Sequence, residues 1–203
     1  MKLLYGTSNP AKIDFMQKRV NSLGIKILSL TDINAPKMEI DENGNDPLEN
    51  ARIKALAYYQ ALKTPVFSAD SGLYIDGLDD ERQPGLYIRR VGGRSLTDDE
   101  MIAHYTSLAE EFGGKMTARY KNAICFVKDD STIFEHMADD IASEPFFIVA
   151  KPHEKRSEGF PLDSLSVCIQ SGQYYNDLER KESKYPEDGF TDFFKRILEG
   201  LSL

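Results

Sequence analysis

The chain has 203 residues, of which 41% are hydrophobic and 29% charged, so it is long enough to bury the core of one domain. Its 33 acidic and 25 basic residues give a formal charge of -8, which argues against a nucleic-acid duplex as the main partner. No apolar run approaches the roughly 18 residues needed to span a bilayer, and the start loses its apolar character too early for a signal peptide.

The two cysteines, Cys125 and Cys168, stand far apart and have no histidine at metal-ligand spacing. We interpret both as small core residues and assign no ligand role to the three scattered histidines. This cysteine usage is typical of a reducing compartment, so we expect a soluble protein of the cytoplasm that does not bind a membrane.

The first predicted element is a short apolar strand, residues 2–5, which leads through T-S-N-P-A-K, residues 7–12, into a helix. A strand that ends in such a turn presents backbone N–H groups at the start of the helix, where an anion is favoured. The same residues also fit an ordinary turn in which Asn9 or Ser8 caps the helix and Pro10 is its first residue. The pattern therefore predicts either a phosphate site or a simple helix cap.

Helices and strands alternate over the first part of the chain. Apolar spacing predicts helices over residues 10–23 and 47–63, with a strand over 25–30 between them. The second helix begins with D-P-L-E, in which Asp46 is the N-cap and Glu49 reaches back as in a capping box. A buried strand at 66–68, which residues 73–75 extend, follows this helix.

Antiparallel pairing is predicted further along. A capping box at Thr97–Glu100 starts a helix that ends at Gly113-Gly114, and period-two patterns over 120–127 and 132–137 predict a hairpin. A strand at 146–149 and a helix over 191–201 complete the pattern. We predict one α/β domain over residues 1–203, with parallel crossovers first and a smaller lobe that includes about 118–150.

Two carboxylates are candidates for a metal site. Glu42 lies in the loop before the second helix, where it also fits a solvated loop charge. Asp70 follows the buried strand, at a position suited to holding a metal or orienting water, although an Asx-turn would also explain it. Magnesium takes one or two protein carboxylates and uses substrate phosphates for the rest, so this pair suits a nucleoside triphosphate site.

Four motifs together resemble the inosine triphosphate pyrophosphatase family. They are T-S-N-P-A-K at 7–12, E-N-A-x-x-K-A at 49–55, S-A-D-S-G-L at 68–73 and P-G-L-Y-x-x-R at 84–90. The resemblance runs from Met1 to about Lys128. It implies an ITPase-like (anticodon-binding-like) α/β fold with a long central mixed sheet flanked by helices, and two lobes with a cleft between them.

The resemblance also implies roles for individual residues. Glu42 and Asp70 would hold Mg²⁺ or Mn²⁺, and Asp70 would also activate water. Lys12 and Lys54 would approach the phosphates as catalytic cations. The implied substrate contacts are Thr7, Ser8, Asn9, Lys12, Ser71, Phe160, Asp163, Lys181 and Lys184.

The chain departs from the family pattern at three places. Ala69 replaces the first of two consecutive aspartates, which removes a carboxylate and predicts weaker metal binding or a displaced base. The family's G-F-G-Y-D-P becomes G-F-P-L-D-S at 159–164, which keeps Phe160 and Asp163 but alters the backbone between them. The base-reading Ser-His-Arg becomes Ser-Lys-Tyr at 183–185, and a tyrosine cannot replace the arginine fork.

We therefore predict a Mg²⁺-dependent pyrophosphatase that hydrolyses ITP, dITP and XTP to monophosphate and pyrophosphate, and that acts as a homodimer. One alternative is an enzyme of the same fold with altered base specificity. The other is a nucleotide-binding protein whose catalysis is weakened, as Ala69 and the altered C-terminal third would favour.

Overall fold

The structure, a computed structural model, describes residues 1–157, 160–178 and 188–201, and these belong to two units. The first unit comprises Met1–Ser71, Lys121–Ala142 and the described residues from 188 onward. The second comprises Gly72–Tyr120 and the described residues from Ser143 to 178.

Nine strands and four helices lie in the described residues. The strands are β1 (Lys2–Tyr5), β2 (Lys26–Leu28), β3 (Val66–Ile75), β4 (Arg90–Val91), β5 (Arg94–Ser95), β6 (Lys115–Asp129), β7 (Thr132–His136), β8 (Phe146–Val149) and β9 (Ser166–Cys168). The helices are α1 (Pro10–Val20), α2 (Pro47–Leu62), α3 (Asp98–Glu111) and α4 (Gly189–Leu201). None of these helices combines the length and the apolar character needed to cross a bilayer.

The main sheet is mixed, as the sequence predicts. Its strand order is β2-β1-β3-β6-β8-β9, with β7 paired to β6. β1 is parallel to both β2 and β3, whereas β6 is antiparallel to β7 and β8. The predicted change from parallel crossovers to antiparallel pairing is confirmed, and so is the α/β class.

Helix α1 begins at a side-chain cap. The Asn9 Oδ1 atom accepts hydrogen bonds from the backbone N–H groups of Ala11 (3.0 Å) and Lys12 (3.4 Å), and Pro10 is the first helical residue. The helix ends three residues earlier than predicted, because residues 21–23 tighten into a 3₁₀ turn that Gly24 closes at a φ of 65°. Gly24 suits that left-handed position because it has no Cβ.

The start of α2 corrects one prediction. Asp46 is the N-cap, since its Oδ1 accepts the Glu49 N–H at 2.8 Å. The Glu49 carboxylate does not return the bond to Asp46. Its Oε2 instead accepts from the backbone N–H of Asn45 (2.8 Å) and from the Asn45 side-chain amide (3.1 Å), so the bond reaches one residue further back.

Other boundaries follow the local patterns closely. The Thr97–Glu100 capping box of α3 has both of its reciprocal bonds, and β6 and β7 form the predicted hairpin. β3 extends to Ile75 as expected, and α4 begins two residues before its predicted start. The predicted strand at 25–30 is shorter, because Ser29 leaves the ladder and donates its hydroxyl to the Asp32 carboxylate at 2.8 Å.

The two faces of β3 pack against different helices in the first unit. Phe67 and Ala69 belong to an apolar cluster that includes residues of α1 and α4. Val66, on the opposite face, packs with Ala51 and Ala55 of α2. Because alternate residues of a strand share a face, Ser68 and Asp70 also point toward α2. This alternation determines which side chains of β3 can meet the lysine of α2.

Candidate active site

Four charged side chains meet in the first unit, and we call them the charged cluster: Lys12, Glu42, Lys54 and Asp70. The Lys54 Nζ atom lies 2.9 Å from Glu42 Oε2 and 3.1 Å from Asp70 Oδ1. The Lys12 Nζ atom lies 3.8 Å from the same Asp70 oxygen. The structure thus brings together the two predicted metal ligands and the two predicted catalytic cations.

Each member of the cluster is held by a different element. Lys12 is on the first turn of α1, Asp70 is on β3, and Lys54 is on α2, one residue before the buried Ala55. Glu42 comes from the loop before α2. The side chains of Lys54 and Asp70 are 12% and 14% exposed, so this pair is largely shielded from water.

The surroundings of Lys12 disfavour its charge. Burial lowers the pKa of Lys12 below that of an ordinary lysine, and the Lys54 ammonium lowers it further against the raising effects of Asp70 and Glu42. Part of the Lys12 side chain still reaches solvent, since 38% of it is exposed. The Tyr5 hydroxyl is affected as well. Burial and the Asp70 charge raise the pKa of Tyr5, so this hydroxyl stays protonated.

This lowered pKa predicts the alkaline limit of activity. Lys12 should lose its proton at a lower pH than an ordinary lysine would, and in the phosphate-binding role that the resemblance implies it would then lose its attraction for phosphate. We expect Lys12→Arg to extend kcat/KM to higher pH, because a guanidinium stays charged. The measurement is a pH profile of pyrophosphate release, with Lys18→Arg on the same helix as the control that should not change it. An unaltered alkaline limb in Lys12→Arg would assign that limb to another group.

Ala69 lies away from the charged cluster. Its methyl group packs with the apolar cluster of α1 and α4, on the face of β3 opposite Asp70. A carboxylate at position 69 would therefore point toward apolar side chains and away from Lys54. The missing family aspartate leaves the contacts between Asp70, Lys54 and Glu42 in place.

Ser71 is also directed away from the cluster. Its hydroxyl donates to Asn122 Oδ1 at 2.7 Å, and the Asn122 amide donates to the Ile141 carbonyl at 2.7 Å. Since Ser71 follows Asp70 directly in β3, their side chains leave opposite faces of the strand. The structure does not bring the Ser71 hydroxyl to the charged cluster, and its predicted substrate contact stays a prediction.

The turn at residues 7–12 uses its polar groups partly within the protein. Thr7 Oγ1 accepts the Asn9 N–H at 3.2 Å, and Asn9 caps α1 as described above. The cap interpretation of this turn is therefore confirmed, while the phosphate contacts of Thr7, Ser8 and Asn9 remain predictions. The two roles are compatible, because a capped helix start still favours an anion.

Gly6, directly after β1, lies very close to Ser68 of β3 and Tyr58 of α2. A Cβ atom at Gly6 would lie 2.4 Å from Ser68 Oγ and 2.7 Å from a ring carbon of Tyr58. The Ser68 hydroxyl is completely buried and has no hydrogen-bond partner among the described residues. Glycine at this position therefore lets the turn rest directly on β3 and α2.

We expect Gly6→Ala to lower the free energy of unfolding by about 1–3 kcal/mol, because overpacking forces neighbouring atoms apart. Ser68→Ala in the same chain should restore part of this loss, since it removes the nearer clash and an unsatisfied hydroxyl. Urea denaturation of the two single variants and the double variant measures this coupling. Additive effects would show that the two sites do not press on each other.

Two of the predicted base-side residues, Phe160 and Asp163, belong to the second unit. Phe160 is 39% exposed, and its carbonyl accepts the Asp163 N–H at 3.1 Å in the turn Pro161–Ser164. Burial and then the Asp163 charge raise the pKa of Tyr120, whose ring stacks on Phe146. Lys181 and Lys184 lie outside the described residues.

The donor set fits a magnesium ion that shares its shell with phosphates. Among the described residues, no group of three or more histidine, cysteine or acidic side chains forms an all-protein metal cage. Glu42 and Asp70 place carboxylate oxygens within hydrogen-bonding distance of one ammonium nitrogen, so they converge on a single cationic centre. Two carboxylates are the number that Mg²⁺ uses when substrate phosphates complete its coordination.

Sequence reasoning missed three residues that contact the predicted site segments. Tyr58 and Ser68 pack against Gly6 at the start of the predicted phosphate turn, and Asn122 holds Ser71. The spacing of Tyr58 and Lys54, four residues apart on one helix, could have indicated the first. Asn122 carries no local signal, because its partners are 51 and 19 residues away.

Comparison with known proteins connects this geometry to a family. A sequence profile of the Ham1 family matches residues 3–183. The chain belongs to the Ham1 family. A dITP/XTP pyrophosphatase of Exiguobacterium sp. is 31% identical over 195 residues, which cover 88% of this chain and 95% of that protein. A dITP/XTP pyrophosphatase of Haemophilus influenzae is 28% identical over 190 residues, or 90% of each chain.

The fold of this Ham1-family chain agrees with that of a solved relative. The structure of a HAM1 protein from Coxiella burnetii superposes with a TM-score of 0.73, covering 98% of this chain and 99% of that one at 22% identity. The predicted resemblance and the predicted fold class are both confirmed.

Proposed function

We propose that this protein is a nucleoside triphosphate pyrophosphatase that hydrolyses ITP, dITP and XTP to the monophosphate and pyrophosphate. The charged cluster carries this proposal, because two cations and two carboxylates from four separate elements converge at one place. The names of the similar proteins, dITP/XTP pyrophosphatases, support the substrate class.

The cluster has the groups that phosphoanhydride hydrolysis requires. Asp70 accepts hydrogen bonds, so it can orient a water molecule and take up a proton as that water attacks phosphorus. Lys12 and Lys54 are placed to attract the triphosphate and to balance the charge that develops on its oxygens. When bound by Glu42 and Asp70, Mg²⁺ or Mn²⁺ would supply Lewis-acid polarisation of a phosphate oxygen.

The remaining contacts of the nucleotide are part of the same proposal. Thr7, Ser8 and Asn9 would donate to phosphate oxygens at the start of α1. The exposed ring of Phe160 would stack on the base, and Asp163 would face the sugar or base. Lys181 and Lys184 would approach the base. A homodimer in the cytoplasm is expected, and light scattering of the purified protein tests the oligomeric state.

A nucleotide panel with separate detection of pyrophosphate and orthophosphate tests the proposed activity. With Mg²⁺ or Mn²⁺, we expect pyrophosphate from ITP, dITP and XTP, and slower release from ATP and GTP. Equal rates for all purines would favour altered base specificity. Stabilisation by nucleotides without any turnover would identify a binding protein and reject the enzymatic proposal.

A further inference from the structure

The loop that carries Glu42 is hydrogen-bonded to α2 at Asn50, a residue outside the charged cluster. No helix or strand lies between Leu28 and Pro47, so Glu42 depends on other contacts for its position. Gly44, two residues later, is buried, and its backbone N–H donates to Asn50 Oδ1 at 2.9 Å. Asn50 lies on α2 one turn before Lys54 and is 3% exposed.

The packing at Gly44 shows that this attachment is close. A Cβ atom at Gly44 would lie 2.7 Å from the Glu49 Cβ, 2.8 Å from Asn50 Oδ1 and 2.9 Å from the Asn50 backbone nitrogen. Two of these three atoms cannot move without moving α2 itself. The backbone at Gly44 therefore rests on the first turn of the helix, and only glycine permits that distance.

Asn50 and Lys54 act on the same loop from the same helix. Asn50 holds the backbone at Gly44, and Lys54 holds the Glu42 carboxylate at 2.9 Å. The Glu42 side chain is itself 43% exposed, so burial does little to fix it. A hydrogen bond to a buried backbone N–H fixes a loop better than an exposed ion pair does.

We propose that Asn50 is a positioning residue, which sets the place of Glu42 for metal binding through its bond to the Gly44 N–H. This inference rests on the metal role that the proposed function gives to Glu42. Asn50 touches neither substrate nor metal in this account. Its effect passes through the loop backbone to a carboxylate two residues away.

Three variants on α2 separate this role from general stability. Asn50→Ala removes the acceptor for the Gly44 N–H. Asn50→Asp keeps an acceptor oxygen at a helix start, where negative charge is tolerated. Gln60→Ala, at an exposed position of α2, is the matched control. Gly44→Ala disturbs the same contact from the loop side.

Two measurements on the full chain test the proposal. Amide exchange of the segment 41–45 should rise in Asn50→Ala and Gly44→Ala, and stay near wild type in Asn50→Asp and Gln60→Ala. Mn²⁺ alone, titrated by electron paramagnetic resonance, should bind about 10-fold more weakly to Asn50→Ala. In a Glu42→Gln background, Asn50→Ala should weaken Mn²⁺ binding no further.

The results that would contradict the positioning role of Asn50 differ from those that would contradict the proposed pyrophosphatase activity. Unchanged exchange at 41–45 in Asn50→Ala would overturn the positioning role, whether or not Mn²⁺ binds. An equal loss of Mn²⁺ affinity with and without the Glu42 carboxylate would also overturn it. Mn²⁺ binding that depends on both Glu42 and Asn50, without pyrophosphate release from any nucleotide, would support the positioning role and reject the proposed activity.

Discussion

Asp70→Asn is expected to lower kcat for pyrophosphate release from dITP or XTP by about 10³-fold. Asparagine keeps the size of the side chain but cannot accept a proton from water at neutral pH. The substitution also removes the negative charge of Asp70, which faces both Lys54 and Lys12. Steady-state assays at saturating nucleotide and metal measure the change.

Asp14→Asn provides the matched control for this substitution. Asp14 is exposed on α1 and pairs with Lys18, outside the charged cluster, so the same chemical change there should leave kcat unaltered. Thermal unfolding of both variants shows whether each is folded. A folded Asp70→Asn protein that keeps more than about a tenth of the wild-type kcat would assign proton transfer to a different residue.

Phe194→Ala should have the largest effect on stability, a loss of about 3–5 kcal/mol in the free energy of unfolding. The Phe194 ring is fully buried between α4 and the sheet, and it meets the rings of Phe67 at 5.1 Å and Phe193 at 5.6 Å edge to face. Truncation leaves a cavity that these neighbours cannot fill, since they are buried as well. Urea denaturation followed by circular dichroism measures the loss.

Ile133→Ala on β7 is the comparison for this core substitution. Ile133 belongs to the same unit but is 42% exposed, so its truncation should cost below about 1 kcal/mol. Similar losses for both variants would mean that the packing around Phe194 is looser than the ring distances indicate.

The features that the sequence predicts well depend on neighbouring residues. The N-caps at Asn9, Asp46 and Thr97 form bonds within three residues, so their patterns are visible in the chain. The Glu49 bond to Asn45 in place of Asp46 is a shift of one residue that geometry alone decides. The sequence predicts the end of α1 three residues too late, because the 3₁₀ turn at 21–23 continues the same apolar spacing.

The sequence predicts which residues form the charged cluster, but it predicts their arrangement only in part. Motif resemblance selected Lys12, Glu42, Lys54 and Asp70, yet their contacts depend on the packing of three elements around β3. Period-two alternation in β3 could have separated Asp70 from its neighbours on the opposite face, Ala69 and Ser71. The base-side prediction at Lys181 and Lys184 stays a prediction, because these residues lie outside the described part of the chain.

The charged cluster contains two ammonium groups and two carboxylates, so its formal charges cancel. A divalent cation that binds alone has to separate Lys54 from Glu42 and Asp70, so we expect it to bind measurably but more weakly than its complex with a triphosphate. A bare triphosphate would meet the carboxylates as well as the lysines. A cation already complexed with a triphosphate would bring a partner of opposite charge for each of the four groups, so under the proposed function we expect the cluster to bind the complex in preference to either component.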